Sequence, residues 1–106
     1  MKSQPSEKGP HIDLFTYSGV VCSVYDGDTC RADVDLGFGV WSINAKIRLL
    51  GVNAPEMRSK DPETKQKAKE SRKFLCEKVL GKRVVIKSKG KGKYGRWLCV
   101  IFYFDQ

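Results

Sequence analysis

One helical segment stands between runs of alternating residues in this sequence, and it restricts the folds that the chain can adopt. Asp61-Pro62 is a typical helix start, because Asp caps the free N–H groups of a first turn and Pro suits the first helical position. Apolar residues then recur along one stripe at helical spacing: Ala68, Leu75, Cys76 and Val79. Gly81 follows as a glycine that ends the helix. The pattern predicts one amphipathic helix packed on a core.

Three strands are predicted before this helix and two after it, from their β-branched and alternating residues. In order they cover residues 15–25, 30–36, 40–51, 82–88 and 96–104. Asp26-Gly27 favours a tight turn between the first two strands, and Gly37-Phe38-Gly39 separates the second from the third. A loop at Gly90-Lys91-Gly92-Lys93 is predicted between the last two strands.

Alternation assigns faces to the second and third strands. In the second strand, Arg31, Asp33 and Asp35 lie opposite an apolar face made of Cys30, Ala32, Val34 and Leu36. In the third, Arg48 lies opposite a predicted core face made of Trp41, Ile43, Ala45, Ile47 and Leu49.

This order of elements predicts a mainly β fold with one helix: an OB-fold, a five-stranded Greek-key barrel with the helix between strands 3 and 4. An SH3-like barrel lacks such a helix. The chain has 106 residues, which suits one domain. We expect residues 1–12 to form a polar, disordered tail and residues 13–106 to form the domain.

The net charge of +8 favours a polyanionic partner but does not choose among nucleic acid, an anionic membrane and an acidic protein. No segment is apolar enough to span a bilayer, and Met1–Pro10 lacks the apolar core of a signal peptide. If Met1 is the native start, a cytoplasmic protein is expected.

Four cysteines are present, at positions 22, 30, 76 and 99. They form no CxxC pair, and His11 is the one histidine, so the sequence gives no support to a zinc site. Their apolar surroundings favour free, buried thiols, with two disulfides as the alternative.

Three segments concentrate functional residue types: Asp26-Gly27-Asp28-Thr29, the run from Arg48 to Glu56, and Tyr94-Gly95-Arg96. Each segment alone is weak, since an Asp-Gly-Asp run is most often only a turn. Together, in this order and with a helix between the second and third, they are specific. Over about residues 17–106 the chain resembles the staphylococcal nuclease family.

The resemblance implies a calcium-dependent nuclease acting on DNA or RNA. Arg48 and Arg96 resemble the family's two phosphate-binding arginines, and Glu56 resembles the residue that activates the attacking water. Lys93 and Tyr94 resemble residues that contact a neighbouring phosphate.

The resemblance also implies a calcium site. Asp28 matches a carboxylate ligand, Ala54 a ligand through its backbone carbonyl, and Asn53 stands where the family has a second carboxylate. An amide oxygen can ligate calcium but adds no charge, so weaker calcium binding is expected here.

These residue types suit phosphodiester hydrolysis on chemical grounds as well. A hard cation neutralises the charge that develops on phosphate oxygens, and guanidinium groups donate paired hydrogen bonds to them. A carboxylate beside the attacking water can accept its proton. A non-catalytic OB-type module that only binds nucleic acid is the alternative, and a protein-interaction module is a third with no specific support.

The family's C-terminal helices are absent from this sequence, which stops at Gln106 soon after an apolar strand. The domain therefore looks truncated at its C-terminus. Apolar surface left at that end of the barrel would favour self-association.

Overall fold

The computed structural model describes residues 14–52, 54–55 and 57–103. The predicted tail, the last three residues, and both Asn53 and Glu56 lie outside these ranges. The elements are β1 (Thr16–Asp26), β2 (Thr29–Gly37), β3 (Val40–Leu49), α1 (Pro62–Val79), β4 (Arg83–Lys91), a 3-10 turn (Lys93–Gly95) and β5 (Trp97–Phe102).

The five strands form a closed barrel in the order β1-β2-β3-β5-β4, with β4 pairing back to β1. Only the β3–β5 pair is parallel, joining Ile47–Leu49 to Trp97–Cys99; the other four pairs are antiparallel. Two parallel neighbours need a long connection, and the chain from β3 to β5 runs through α1 and β4. The predicted OB-fold, a five-stranded barrel with a helix between strands 3 and 4, is confirmed.

The helix begins and ends where its sequence signals lie. The Asp61 carboxylate accepts hydrogen bonds from the Thr64 amide at 3.3 Å and the Thr64 hydroxyl at 2.7 Å. Gly81 follows the helix with φ of 74°, and its amide donates to the Val21 carbonyl at 2.8 Å, fixing the helix end to β1. The predicted stripe faces the core: Ala68, Leu75 and Val79 are buried and Cys76 packs against them. Among the described residues, no helix is long and apolar enough to cross a membrane.

The predicted inner face of β3 is wrong in its first half. Ala45, Ile47 and Leu49 are buried as expected, but Trp41 and Ile43 are 43% and 68% exposed. A bulge at Asn44, whose φ is 58°, shifts the pairing with β2 so that Ser42 rather than Ile43 takes the next inward place. The amide of Asn44 donates to the Asp33 carboxylate at 2.8 Å, which stabilises the bulge.

The predicted loop between the last two strands is also shorter than expected. β4 continues to Lys91, which pairs with Trp97, so Gly90 and Lys91 belong to the strand. A register shift between Ser88 and Gly90, where the φ of Gly90 is 128°, allows the strand to bend and carry on.

All four cysteines are free, so the alternative of two disulfides is wrong. Cys30 and Cys99 lie in the barrel core at 1% and 2% exposure. Burial raises the pKa of Cys30 to about 12 and that of Cys99 to about 11, which leaves both thiols protonated and unreactive. Cys22 is exposed, against the prediction that it fills the core.

Apolar side chains remain partly exposed beside α1 and β5, with Phe74 at 57% and Tyr103 at 38%. Self-association through this surface stays a prediction.

The bulge in β3 can be tested with two isoleucines of the same strand. Ile47 is 1% exposed in the core, so Ile47→Ala should lower the free energy of unfolding by roughly 2–5 kcal/mol through lost burial and a cavity. Ile43 lies outside the barrel, so Ile43→Ala should change it by less than about 0.5 kcal/mol. Urea unfolding of both variants makes the comparison, and equal losses would mean that β3 has no bulge.

Candidate active site

A groove of about 820 Å³ collects five of the residues that the sequence analysis selected: Asp28, Arg48, Ala54, Tyr94 and Arg96. They come from four separate segments of the chain. These segments are the β1–β2 turn, the end of β3, the loop after β3 and the turn before β5. Lys93 lines an adjoining hollow that shares Arg48 and Arg96 with the groove.

The β1–β2 turn holds Asp28 in a buried position. The amide of Asp28 donates to the Asp26 carboxylate at 3.3 Å, and the Thr29 hydroxyl donates to Asp28 Oδ1 at 3.0 Å. Gly27 lets the loop and helix approach, because a Cβ there would lie 2.7 Å from the Cβ atoms of both Ala54 and Ser71. The turn is therefore packed tightly against the segments that complete the groove.

Arg48 and Ala54 converge on the second oxygen of the Asp28 carboxylate. Arg48 Nη2 lies 3.5 Å from Asp28 Oδ2, and the Ala54 amide donates to the same oxygen at 3.2 Å. Arg48 Nη1 also donates to the carbonyls of Leu49 and, at 2.8 Å, Val52. These bonds fix the guanidinium in one orientation at the rim of the groove, with 26% of the side chain exposed.

Arg96 approaches the groove from the turn before β5. Its Nε donates to the Lys93 carbonyl at 3.5 Å, and its guanidinium lies 5.7 Å from the centre of the Tyr94 ring. Tyr94 has a φ of 62° and is 83% exposed. Arg96 is thus more loosely held than Arg48, and its charged group remains accessible to an anion.

Two carboxylates lie side by side in the floor of the groove. Asp26 is 5% exposed, and its pKa is raised to about 6 by burial and then by the neighbouring Asp28 side chain, although the hydrogen bond from the Asp28 amide acts in the opposite direction. Burial would also raise the pKa of Asp28, but a hydrogen bond from Asp26 in its protonated form, hydrogen bonds from the Ala54 amide and Thr29, and the charge of Arg48 outweigh it and lower that pKa. At neutral pH both carboxylates are therefore ionised, next to one arginine.

This pair fits a hard divalent cation in its donor chemistry. Carboxylate oxygens are the ligands that calcium prefers, and a dication would neutralise the charge of two neighbouring carboxylates that are both buried. The described residues contain no group of three or more His, Cys, Asp or Glu side chains that could hold a metal. Asn53, a predicted ligand, and Glu56, the predicted base, lie outside the described residues.

A comparison with protein-family models identifies the family of this chain. The model described as "Staphylococcal nuclease homologue" matches residues 46–106, more than half of the chain. The chain belongs to the staphylococcal nuclease family. Members of this family are generally nuclease hydrolases, so a nucleic-acid partner follows. A search of curated proteins gave no match.

The matched segment of this nuclease-family domain contains every selected site residue except Asp28. Asp28 precedes the match, and its place in the site depends on the barrel, which pairs Thr29 with Arg48.

Several groove residues were missed by the sequence analysis. Asp26 carried a signal, since it is the first acid of the Asp-Gly-Asp turn. Arg31 was assigned to the outer face, but its closeness to the site depends on strand register, which the sequence did not give. The remaining missed residues with charged or aromatic side chains are Tyr25, Lys46 and Arg58.

The raised pKa of Asp26 predicts a pH-dependent stability of this nuclease-family domain. A carboxyl group whose pKa is higher in the folded state binds its proton more tightly there, so stability falls as pH rises from about 4 to about 6. Asp26→Asn keeps an acceptor for the Asp28 amide and removes the charge. In chelator, the variant should therefore be more stable than wild type at pH 7, by on the order of 2 kcal/mol.

Urea unfolding of both proteins at pH 4 and pH 7 measures this difference. At pH 4 the advantage of the variant should largely disappear. An advantage that is equal at the two pH values would contradict the pKa assigned to Asp26.

Proposed function

We propose that this domain is a calcium-dependent nuclease that hydrolyses phosphodiester bonds of DNA or RNA. The single observation that supports it best is the pairing of opposite charges in one groove. The Asp26–Asp28 carboxylates lie beside Arg48, and Arg96 lines the same groove. A site built only to bind phosphate gains nothing from two buried carboxylates, because their charge repels the ligand.

The two arginines are assigned to the substrate phosphate. Arg48 is oriented before substrate arrives by Asp28 and two backbone carbonyls, so little reorganisation is needed when charge develops. Arg96 is accessible and would approach the phosphate from the β5 side of the groove. Guanidinium groups stay charged at any relevant pH and donate paired hydrogen bonds to phosphate oxygens.

Calcium would be held by Asp28, the backbone carbonyl of Ala54 and the side chain of Asn53. When bound, it supplies positive charge to the phosphate oxygens and a hard centre that orients water. Asp28 also stabilises the structure of the site, because its Oδ2 atom accepts a hydrogen bond from the Ala54 amide and lies near the Arg48 guanidinium.

Glu56 is assigned the role of general base, which takes the proton of the attacking water. It follows Ala54 by two residues in the sequence, and the Ala54 amide is bound to Asp28. Lys93 and Tyr94 are assigned to a neighbouring phosphate of the substrate. They lie next to Arg96 in the turn before β5, and Lys93 lines the adjoining hollow.

The test is cleavage of plasmid and single-stranded DNA on a gel, with calcium and with chelator. Wild type should cleave only with calcium. Glu56→Gln should lower the cleavage rate by about 10²–10⁴-fold, because the water loses its base, while nucleotide affinity is largely retained. Glu77→Gln, the same change on an exposed part of α1, is the matched control and should cleave like wild type.

Comparable cleavage by wild type and Glu56→Gln under saturating calcium would refute the role of Glu56. DNA binding without cleavage in wild type, at any calcium concentration, would favour the alternative of a non-catalytic binding module.

A further inference from the structure

A second pair of cations lies on the outer face of the barrel, next to the candidate active site. Arg31 of β2 and Lys46 of β3 are direct cross-strand partners. Their sequence neighbours Ala32 and Ala45 are buried, so both cationic side chains point outward. Both also line the groove that contains Arg48 and Arg96.

This arrangement is unfavourable for the isolated domain. Side chains directly opposite on neighbouring strands have Cβ atoms about 5 Å apart, where two like charges repel. Neither Arg31 nor Lys46 forms an ion pair with any described residue. A bound anion would turn this repulsion into attraction, so the pair is suited to a ligand with negative charge.

The spacing relates this pair to the active site. Thr29 and Arg48 are the next outward-facing cross-strand pair, two residues along each strand. Two residues of a strand span roughly 7 Å, which is comparable to the distance between neighbouring phosphates of an extended single strand. The next outward-facing residues of β2 after Arg31 are Asp33 and Asp35, so the row of positive charges ends at Arg31.

An aromatic side chain of β1 lies in the same groove as these cations. Tyr25 is in the irregular end of β1, where the pairing with β2 shifts between Val24 and Asp26. The side chain is 53% exposed and lines the same groove. An exposed ring beside a row of cations is the combination that binds unstacked bases of single-stranded nucleic acid.

We propose that Arg31 and Lys46 bind the phosphate of the nucleotide adjacent to the one held by Arg48, and that Tyr25 stacks on its base. The preferred substrate is then a single strand of several nucleotides that crosses the outer face of β1, β2 and β3. This inference rests on the proposed function, because it extends the same groove.

The test compares affinity for a long and a short ligand. Fluorescence anisotropy in chelator, where no cleavage is expected, measures binding to a single strand of about 12 nucleotides and to a dinucleotide with a single phosphate, which cannot occupy both phosphate sites at once. Arg31→Gln/Lys46→Gln should bind the long strand about tenfold more weakly and the dinucleotide almost unchanged. The slope of log affinity against log salt should fall by about 0.7, since the contact with one phosphate is lost.

The matched control removes two charges elsewhere. Lys65 and Lys69 are exposed on α1 and lie outside the groove, so Lys65→Gln/Lys69→Gln should lose far less affinity. Tyr25→Leu should lower the affinity for the long strand by about tenfold without changing the slope of log affinity against log salt. Thermal unfolding at low salt adds an independent measurement: the Arg31→Gln/Lys46→Gln protein should be no less stable than wild type, because a repulsion is removed.

Each failure has a different meaning. Wild type that binds neither ligand, with or without calcium, would overturn the proposed function itself. If Arg31→Gln/Lys46→Gln binds the long strand as tightly as wild type does, only the second phosphate site is overturned. The same holds if the variant loses equal affinity for the long strand and for the dinucleotide.

Discussion

The site depends on the interactions of Asp28, the residue at which three separate segments meet. Its backbone carbonyl accepts from the Leu49 amide at 2.8 Å, and its carboxylate faces Arg48 and accepts from the Ala54 amide. The β1–β2 turn, the end of β3 and the loop after β3 are therefore joined at one buried acid. Because the carboxylate is buried, each of these bonds is stronger than it would be in water, and loss of any one is costly.

The charge of the domain has two parts with different consequences. The net charge of +8 attracts polyanions at long range, and salt screens this attraction. The groove adds a local pattern, in which two carboxylates lie beneath a rim of cations. Binding alone needs only the cations. The carboxylates make sense when a metal ion must be held beside a phosphate, so the pattern favours hydrolysis over simple binding.

Much of this fold was predictable, because strong local signals set it. The Asp61 cap, the apolar stripe of the helix and Gly81 act within a few residues, and all three appear in the structure as expected. The five strands and their order could be predicted for the same reason. The exposure of Trp41 and Ile43 was not predicted, since it results from a left-handed backbone at Asn44 that the alternation of apolar residues does not reveal.

Some residues of the site could be predicted from the sequence and others could not. Asp28, Arg48 and Arg96 were selected from short motifs, and the barrel places all three around one groove. Arg31 and Lys46 were not selected, because their closeness depends on the register between β2 and β3. Registers arise from pairing across the whole sheet, so a reading of single segments misses such pairs.

The proposed function requires that the groove between Arg48 and Arg96 binds the substrate phosphate. The most direct measurement is an NMR titration of the amide signals with a nucleoside 3′,5′-bisphosphate in the presence of calcium. The largest shifts should fall on Asp28, Ala54 and Arg96, and binding should weaken as salt rises. Shifts confined instead to the apolar pocket that Tyr17 and Ser88 line would contradict the claim.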